Sequence, residues 1–241
     1  SGGTFGNLRH AVVNNYAQDN SFQLDHWFWE REISGGILIE HGVHFFDIIN
    51  ALTTQHYEEV VGYWHDRNEQ QRDQVAAMVR YDQGLIANHY HSFSGLGFFE
   101  RTTIQLMFDL AKVEIEGWMP MKGTIQALVS ESSNAALNAI PGWKLDKITS
   151  IGSMSDVSRP EGWGDLPTTD SQIHIAGIRY DVSEIVSGNF EIPKTKGEVY
   201  GQWVQAILQD LIAKVEDEHH ETLATLQNAC ISLEMALAAS Y

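Results

Sequence analysis

The segment Ser34-Gly35-Gly36-Ile37-Leu38-Ile39-Glu40-His41-Gly42-Val43-His44-Phe45-Phe46-Asp47 sets two imidazoles and two carboxylates in an otherwise apolar run. Written as a helix from Glu40 onward, it places Glu40 and His44 at i, i+4 and His44 and Asp47 at i, i+3, all on one face. A carboxylate one turn from a histidine favours the protonated ring and orients it, as general acid/base chemistry near neutral pH requires. Gly35, Gly36 and Gly42 leave backbone bare, so a ligand or another domain can approach closely. The same spacing also serves an ordinary helix-surface ion pair worth about 0.3–0.5 kcal/mol. A metal site is a third reading, with Glu40, His41, His44 and Asp47 as donors. It is the weakest, because adjacent Glu40 and His41 diverge on a helix and no zincin spacing occurs.

Just upstream, Asp25-His26-Trp27-Phe28-Trp29-Glu30-Arg31 could line a sugar-sized pocket, with Asp25, His26 and Trp27 as the contacts. The competing reading is a loop anchored by a buried Trp27 or Trp29. His89 and His91 share one face of a strand, which could face a cleft, although an exposed sheet face is the commoner case and the expectation. Asp47 is expected to cap or pack, Cys230 to sit inert in an apolar helix stripe, and His219-His220 to form a solvated turn. No Gly-x-Gly-x-x-Gly occurs, since Ser94-Gly95-Leu96-Gly97-Phe98-Phe99-Glu100 has Glu where the third Gly should stand. A P-loop and a Gly-x-Ser-x-Gly are absent too, so the chain shows no nucleotide site of its own.

The elements that must position these residues follow from periodicity. Alternation marks strands at 8–16, 60–65, 73–81, 85–93 and 101–108, with shorter ones at 113–116 and 124–129. Asp82-Gln83-Gly84 between two of them is a hairpin turn. Val75, Ala77, Val79 and Tyr81 fall on one face. Strands so closely joined imply antiparallel pairing. Residues 36–52 carry apolar positions three and four apart, which is helical. Two further helices show the stripes Val199-Trp203-Ile207-Leu211-Val215 and Leu223-Leu226-Cys230-Leu233-Leu237, both expected to be core. Residues 130–193, punctuated by Pro141, Pro160, Pro167 and Pro193, read as a long insertion with one strand near 174–182. The expected fold is α+β, a large and mostly antiparallel open sheet with helices packed on one face.

Composition sets the outer bounds. The chain has 241 residues with 43% hydrophobic and 20% charged, a globular balance in which a substantial core is affordable. Fifteen Lys+Arg against 32 Asp+Glu give a net charge of −17, which argues against nucleic acid and anionic membranes as partners. One cysteine excludes an intramolecular disulfide framework and a cysteine-based zinc cluster, and makes a reducing cytoplasm the expected location. No apolar run approaches the ~18–20 residues of a membrane span. No signal peptide is visible, and the opening Ser1-Gly2-Gly3 reads as a fragment boundary.

The segment 34–47 resembles the Gly-Gly-Gly-x-x-x-Asp-x-Gly-x-His-x-x-Asp signature that opens the second domain of the Gfo/Idh/MocA oxidoreductases. Asp73 to Phe93 resembles that family's sheet hairpin, and Leu223 to Ser240 its last helix. Ser34 replaces the first Gly and Glu40 the usual Asp; the family's Glu-Lys-Pro is absent. The resemblance implies a single C-terminal substrate-binding and oligomerisation domain over 1–241, lacking an N-terminal Rossmann domain that binds NAD or NADP. His44 would be the catalytic acid/base with Glu40 beside it, and Gly35 and Gly36 would approach the cofactor. The substrate would be a small sugar, polyol or related hydroxyl compound, and a homo-oligomer would form through the open sheet. A non-catalytic assembly module of the same fold remains the alternative.

Overall fold

The computed structural model describes residues 3–20, 22–151 and 172–241. Its strands are β1 (Leu8–Gln18), β2 (Tyr57–Asp66), β3 (Arg72–Tyr81), β4 (Ile86–Gly95), β5 (Arg101–Phe108), β6 (Ala111–Glu116), β7 (Lys122–Val129), β8 (Trp143–Ser150), β9 (Gln172–Ile175), β10 (Ile178–Asp181) and β11 (Glu184–Glu191). Its α-helices are α1 (Arg31–Ser34), α2 (Val43–Ala51), α3 (Glu131–Asn138), α4 (Lys196–Glu216) and α5 (Leu226–Ser240). Nine strands form a sheet in the order β2-β3-β4-β1-β5-β6-β7-β11-β8, and β9 and β10 make a separate hairpin. The expected large, mostly antiparallel sheet with a few helices is what the chain forms. It divides into two compact units, residues 11–104 with 194–241 and residues 1–10 with 105–193.

In the first of these units β3 pairs antiparallel with β2 on one side and β4 on the other. Gly84, at φ 93°, closes the turn between β3 and β4, where most residues would be strained. Alternation decides burial: Val75, Ala77, Val79 and Tyr81 are all buried. Helices α2 and α5 pack on each other, and α5 also lies on β2. The approach there is so close that a Cβ on Gly62 would fall onto the carbonyl oxygen of Ala239. A polar seam ties the helices to the sheet. Ser232 donates to Asp47 Oδ1 at 3.2 Å, Asn50 Nδ2 donates to Ser232 at 3.3 Å, and Tyr81 donates to Asn50 Oδ1 at 2.9 Å. Asp47, itself exposed, thus links α2 to α5 through Ser232.

The second unit has two apolar clusters. Ile125, Ala127, Val129, Val186 and Phe190 are buried with Leu137 of α3, and Leu110, Ile173 and Val182 gather with Ile151 beside the β9–β10 hairpin. The hairpin is fastened by a buried carboxylate: Asp109 pairs with Arg9 at 2.7 Å and accepts from Tyr180 Oη at 2.6 Å and the Asn7 amide at 2.8 Å. Burial pushes the Asp109 carboxyl up, but these donors outweigh it and hold the group below its ordinary range.

Residues 130–193 differ from the expected insertion with one strand. They carry α3, two strands of the large sheet and a hairpin where one strand was expected. The reason is visible at the prolines. Pro141 lies between α3 and β8 and Pro193 between β11 and α4, so they separate elements instead of interrupting a loop. Pro160 and Pro167 fall outside the described residues.

The two C-terminal stripes also differ from expectation. On α5 the buried side chains are Ser232, Met235, Ala236, Ala239 and Ser240, while Leu226 is 81% exposed and Cys230 is exposed, not core. Small residues let α5 approach β2 more closely than leucines would, so the small-residue face faces inward. On α4 only Val199 is buried. Among the described residues no helix is long and apolar enough to cross a membrane.

Candidate functional site

Residues 34–47 are positioned by an interrupted helix. Helix α1 ends at Gly35, whose φ of 77° is the left-handed cap that a glycine supplies without strain. Gly36 follows at φ 92°, its amide donating to Ser34 Oγ at 3.0 Å. The chain then enters a π turn over Leu38–Gly42 and continues as α2. π turns inside helices are uncommon and frequent at functional sites. A Cβ on Gly36 would meet only Arg31 Nε, at 3.9 Å, so the backbone there is open to a neighbouring group. Gly35 differs, since Ile39 already packs within 2.6 Å of where its Cβ would stand.

Both expected acid/base residues lie on this segment. His44 is exposed on the first turn of α2, and Glu40 is half-buried in the π turn. No hydrogen bond or ion pair joins them, because the widened turn changes the angle and rise between positions four apart. Glu40 therefore does not orient His44 by direct contact in this arrangement, which corrects the geometry expected from regular helix spacing. Burial first, and then the nearby His44, disfavour a charge on the His41 ring.

Sequence reasoning missed the cluster beneath. His89 and His91, expected on an exposed face, are 2% and 0% exposed. Their rings stack at 6.3 Å, His91 meets His41 edge-on at 5.5 Å, and Phe46 lies 4.4 Å from His89. Phe45 and Phe93 complete the surroundings of His41. Both ring nitrogens of His89 and of His91, and Nε2 of His41, lack a hydrogen-bond partner. Burial pushes His41 down to about 4, helped by His44, and pushes His89 down to about 3. His91 is held well below its ordinary value by burial, then by His89 and His41. Burial thus favours the neutral form of all three rings.

The Asp25–Arg31 stretch meets this cluster through aromatic contacts. Phe28 and Trp29 are buried, and Trp29 Nε1 donates to the Phe22 carbonyl at 3.3 Å. Phe28 touches Phe93 at 4.7 Å, and Phe93 touches His41 at 5.2 Å. The anchor is thus Phe28 with Trp29, leaving Trp27 exposed. His26 caps the short turn Trp27–Trp29 by accepting the Phe28 amide on Nδ1 at 3.2 Å, which occupies one of its two nitrogens. Asp25 is exposed. The fold therefore brings the loop and the 34–47 segment onto one aromatic floor. Among the described residues no group of three or more His, Cys, Asp or Glu could hold a metal ion.

Residues 1–106 match the sequence model of the GFO/IDH/MocA C-terminal domain. A comparison with curated protein sequences returns no match. Among solved structures, the chain is similar to UDP-N-acetylglucosamine 3-dehydrogenase from Acidithiobacillus ferrooxidans, with a TM-score of 0.58 at 13% identity over 97% of this chain. It is also similar to a biliverdin reductase from Synechocystis sp. PCC 6803, solved with biliverdin and NADP+, with a TM-score of 0.55 at 12% identity over 99% of this chain. The match covers 54% of the first and 57% of the second, so the chain spans about half the length of each. At such identities the likeness is one of fold.

Proposed function

We propose, from the match of residues 1–106 to the GFO/IDH/MocA C-terminal domain model, that this chain supplies the substrate-binding and acid/base half of an NAD(P)-dependent oxidoreductase. The substrate class is a sugar, polyol or related hydroxyl compound. Nicotinamide, when bound, gives or accepts the hydride. His44 takes or returns the hydroxyl proton, and its solvent-facing position leaves both nitrogens available for that exchange. Gly36, with open space beside a left-handed backbone, suits close approach of a flat ring, and Gly35 fixes the turn that presents it. Exposed Trp27 offers a stacking face for a sugar ring, with Asp25 and the free nitrogen of His26 as polar contacts. Glu40 adjusts the local field without touching His44. A cytoplasmic location and a homo-oligomer formed through the open sheet complete the proposal.

The observation that carries this reading is the exposed imidazole of His44 on the same short segment as the bare Gly36 backbone. The experiment is His44→Ala in the protein of the complete reading frame. A fall in kcat of roughly 10²–10⁴ with unchanged NAD(P)H affinity is expected for an acid/base residue. A near-wild-type kcat defeats the role.

A second reading, a non-catalytic assembly module, is favoured by the broad apolar surface of α4. Calorimetry with NADH and NADPH on the longer protein separates the two, since binding there supports the enzyme and its absence supports the module.

A further inference from the structure

We infer that the exposed face of α4 is the contact between two copies of this chain, laid antiparallel about a two-fold axis. The helix runs for 21 residues, about 31 Å, starts in a capping box formed by Thr195 and Glu198, and presents almost all of its large apolar side chains outward. Val204, Leu208, Leu211 and Val215 follow one another at spacings of four and three, with Ile207 and Ile212 on either flank. That is the seam of a helix pair, not the scatter of single apolar residues found on any surface. Ile207 is 63% and Val215 80% exposed. A stable interface takes roughly 800 Å² from each partner, and the eight large apolar side chains of α4, each 39–80% exposed, offer area of that order.

The occupant is identified by shape and charge. Lys194 and Lys196, with Glu198, stand at one end of the helix, and Glu216, Asp217 and Glu218, with Lys214, at the other, so one end is net basic and the other net acidic. Two copies side by side in the same direction would set lysine beside lysine and acid beside acid. The antiparallel arrangement lays the basic end of each against the acidic end of the other, twice, as an isologous contact requires. Turned about Ala206, it also sets Val204 across from Leu208. Leu211 and Val215 then lie across from Gly201 and Gly197, where a Cβ would meet nothing within 4 Å. The bulky half of the stripe thus faces the small half of its copy. This inference uses none of the residues proposed for catalysis and does not rest on that reading.

Sedimentation velocity on the chain tests it. Wild type is expected to associate, and Ile207→Glu with Leu211→Glu to weaken association at least about tenfold while far-UV circular dichroism is unchanged. Lys194→Glu with Lys196→Glu is expected to weaken it as well, and adding Glu216→Lys with Glu218→Lys to that variant to restore it. A wild-type chain that sediments as a single copy at every concentration overturns the inference, as it would if another domain covers α4. So does association that ignores the Ile207/Leu211 change, or a four-site charge exchange that fails to restore it.

Discussion

A buried imidazole without a hydrogen-bond partner is costly, by about 1–3 kcal/mol for each group left unsatisfied. His41, His89 and His91 together hold five such nitrogens. The consequence has a sign. Because burial lowers their folded-state values below the ordinary one near 6.5, the unfolded chain binds more protons than the folded chain as pH falls. Stability is therefore expected to drop between about pH 6.5 and pH 4 by a few kcal/mol in order of magnitude, measured as the urea midpoint at each pH. His91→Leu should flatten that profile and cost little at pH 7, since a similar apolar shape removes two unsatisfied nitrogens. An unchanged profile would mean the rings are solvated. The sequence did contain the signal for this cluster. Once Val75, Ala77 and Val79 are taken as the inner face of a hairpin turning at Gly84, the register sets Val75 across from His91 and Ala77 across from His89. Strand partners share a face, so both histidines had to be inside. Treating the i, i+2 pair alone, apart from its partner strand, hid it.

At the scale of elements, strands were legible because each alternates over its length, and helix 36–52 because its apolar spacing persists. What the pattern could not convey was the π turn. Apolar periodicity over five residues does not distinguish an i+4 ladder from an i+5 one, so Glu40 and His44 were expected to pair and do not. Nor could it choose the inner face of α5. Leucines mark a stripe, yet close packing on β2 selects the side with Ser232, Ala236 and Ala239. That packing has a measurable price at one position. Gly62→Ala drives a Cβ into the backbone of Ala239, which cannot yield as a side-chain tip could. A loss of about 3 kcal/mol or more is expected, read from thermal or urea unfolding, whereas Gly97→Ala, whose Cβ would make only ordinary contacts with Gln18, should be close to neutral. Equal effects at the two sites would contradict the α5–β2 contact.

For the whole molecule, alternation over closely joined strands indicated the large, mostly antiparallel sheet that the chain forms. The stripe on α4 was misjudged for a physical reason. Hydrophobic spacing reports that a face is to be covered, but it does not say by what, and inside the described residues nothing covers it. The nucleotide question belongs to the same scale. The chain has no Gly-x-Gly-x-x-Gly and spans about half of the similar oxidoreductases. NADH and NADPH are therefore expected to give no tight binding isotherm with this chain alone. Micromolar binding by the chain alone would place a dinucleotide cradle in the sheet domain and displace the proposed division of labour.

The π turn at Leu38–Gly42 carries one residue more than an α-helix would use across the same gap. It is a slack link in an otherwise taut coil. Deleting one residue between Leu38 and Gly42 would let the ladder close in α-helical steps through to Ala51. Because the shortened turn spans the same gap, Gly36 and His44 would keep nearly their present places, and Glu40 would come to stand one regular turn before His44. The extra residue, with every functional side chain kept, thus sets whether the carboxylate stands beside the imidazole. A chain shortened by Ile39 should fold and gain the Glu40–His44 contact that the π turn withholds.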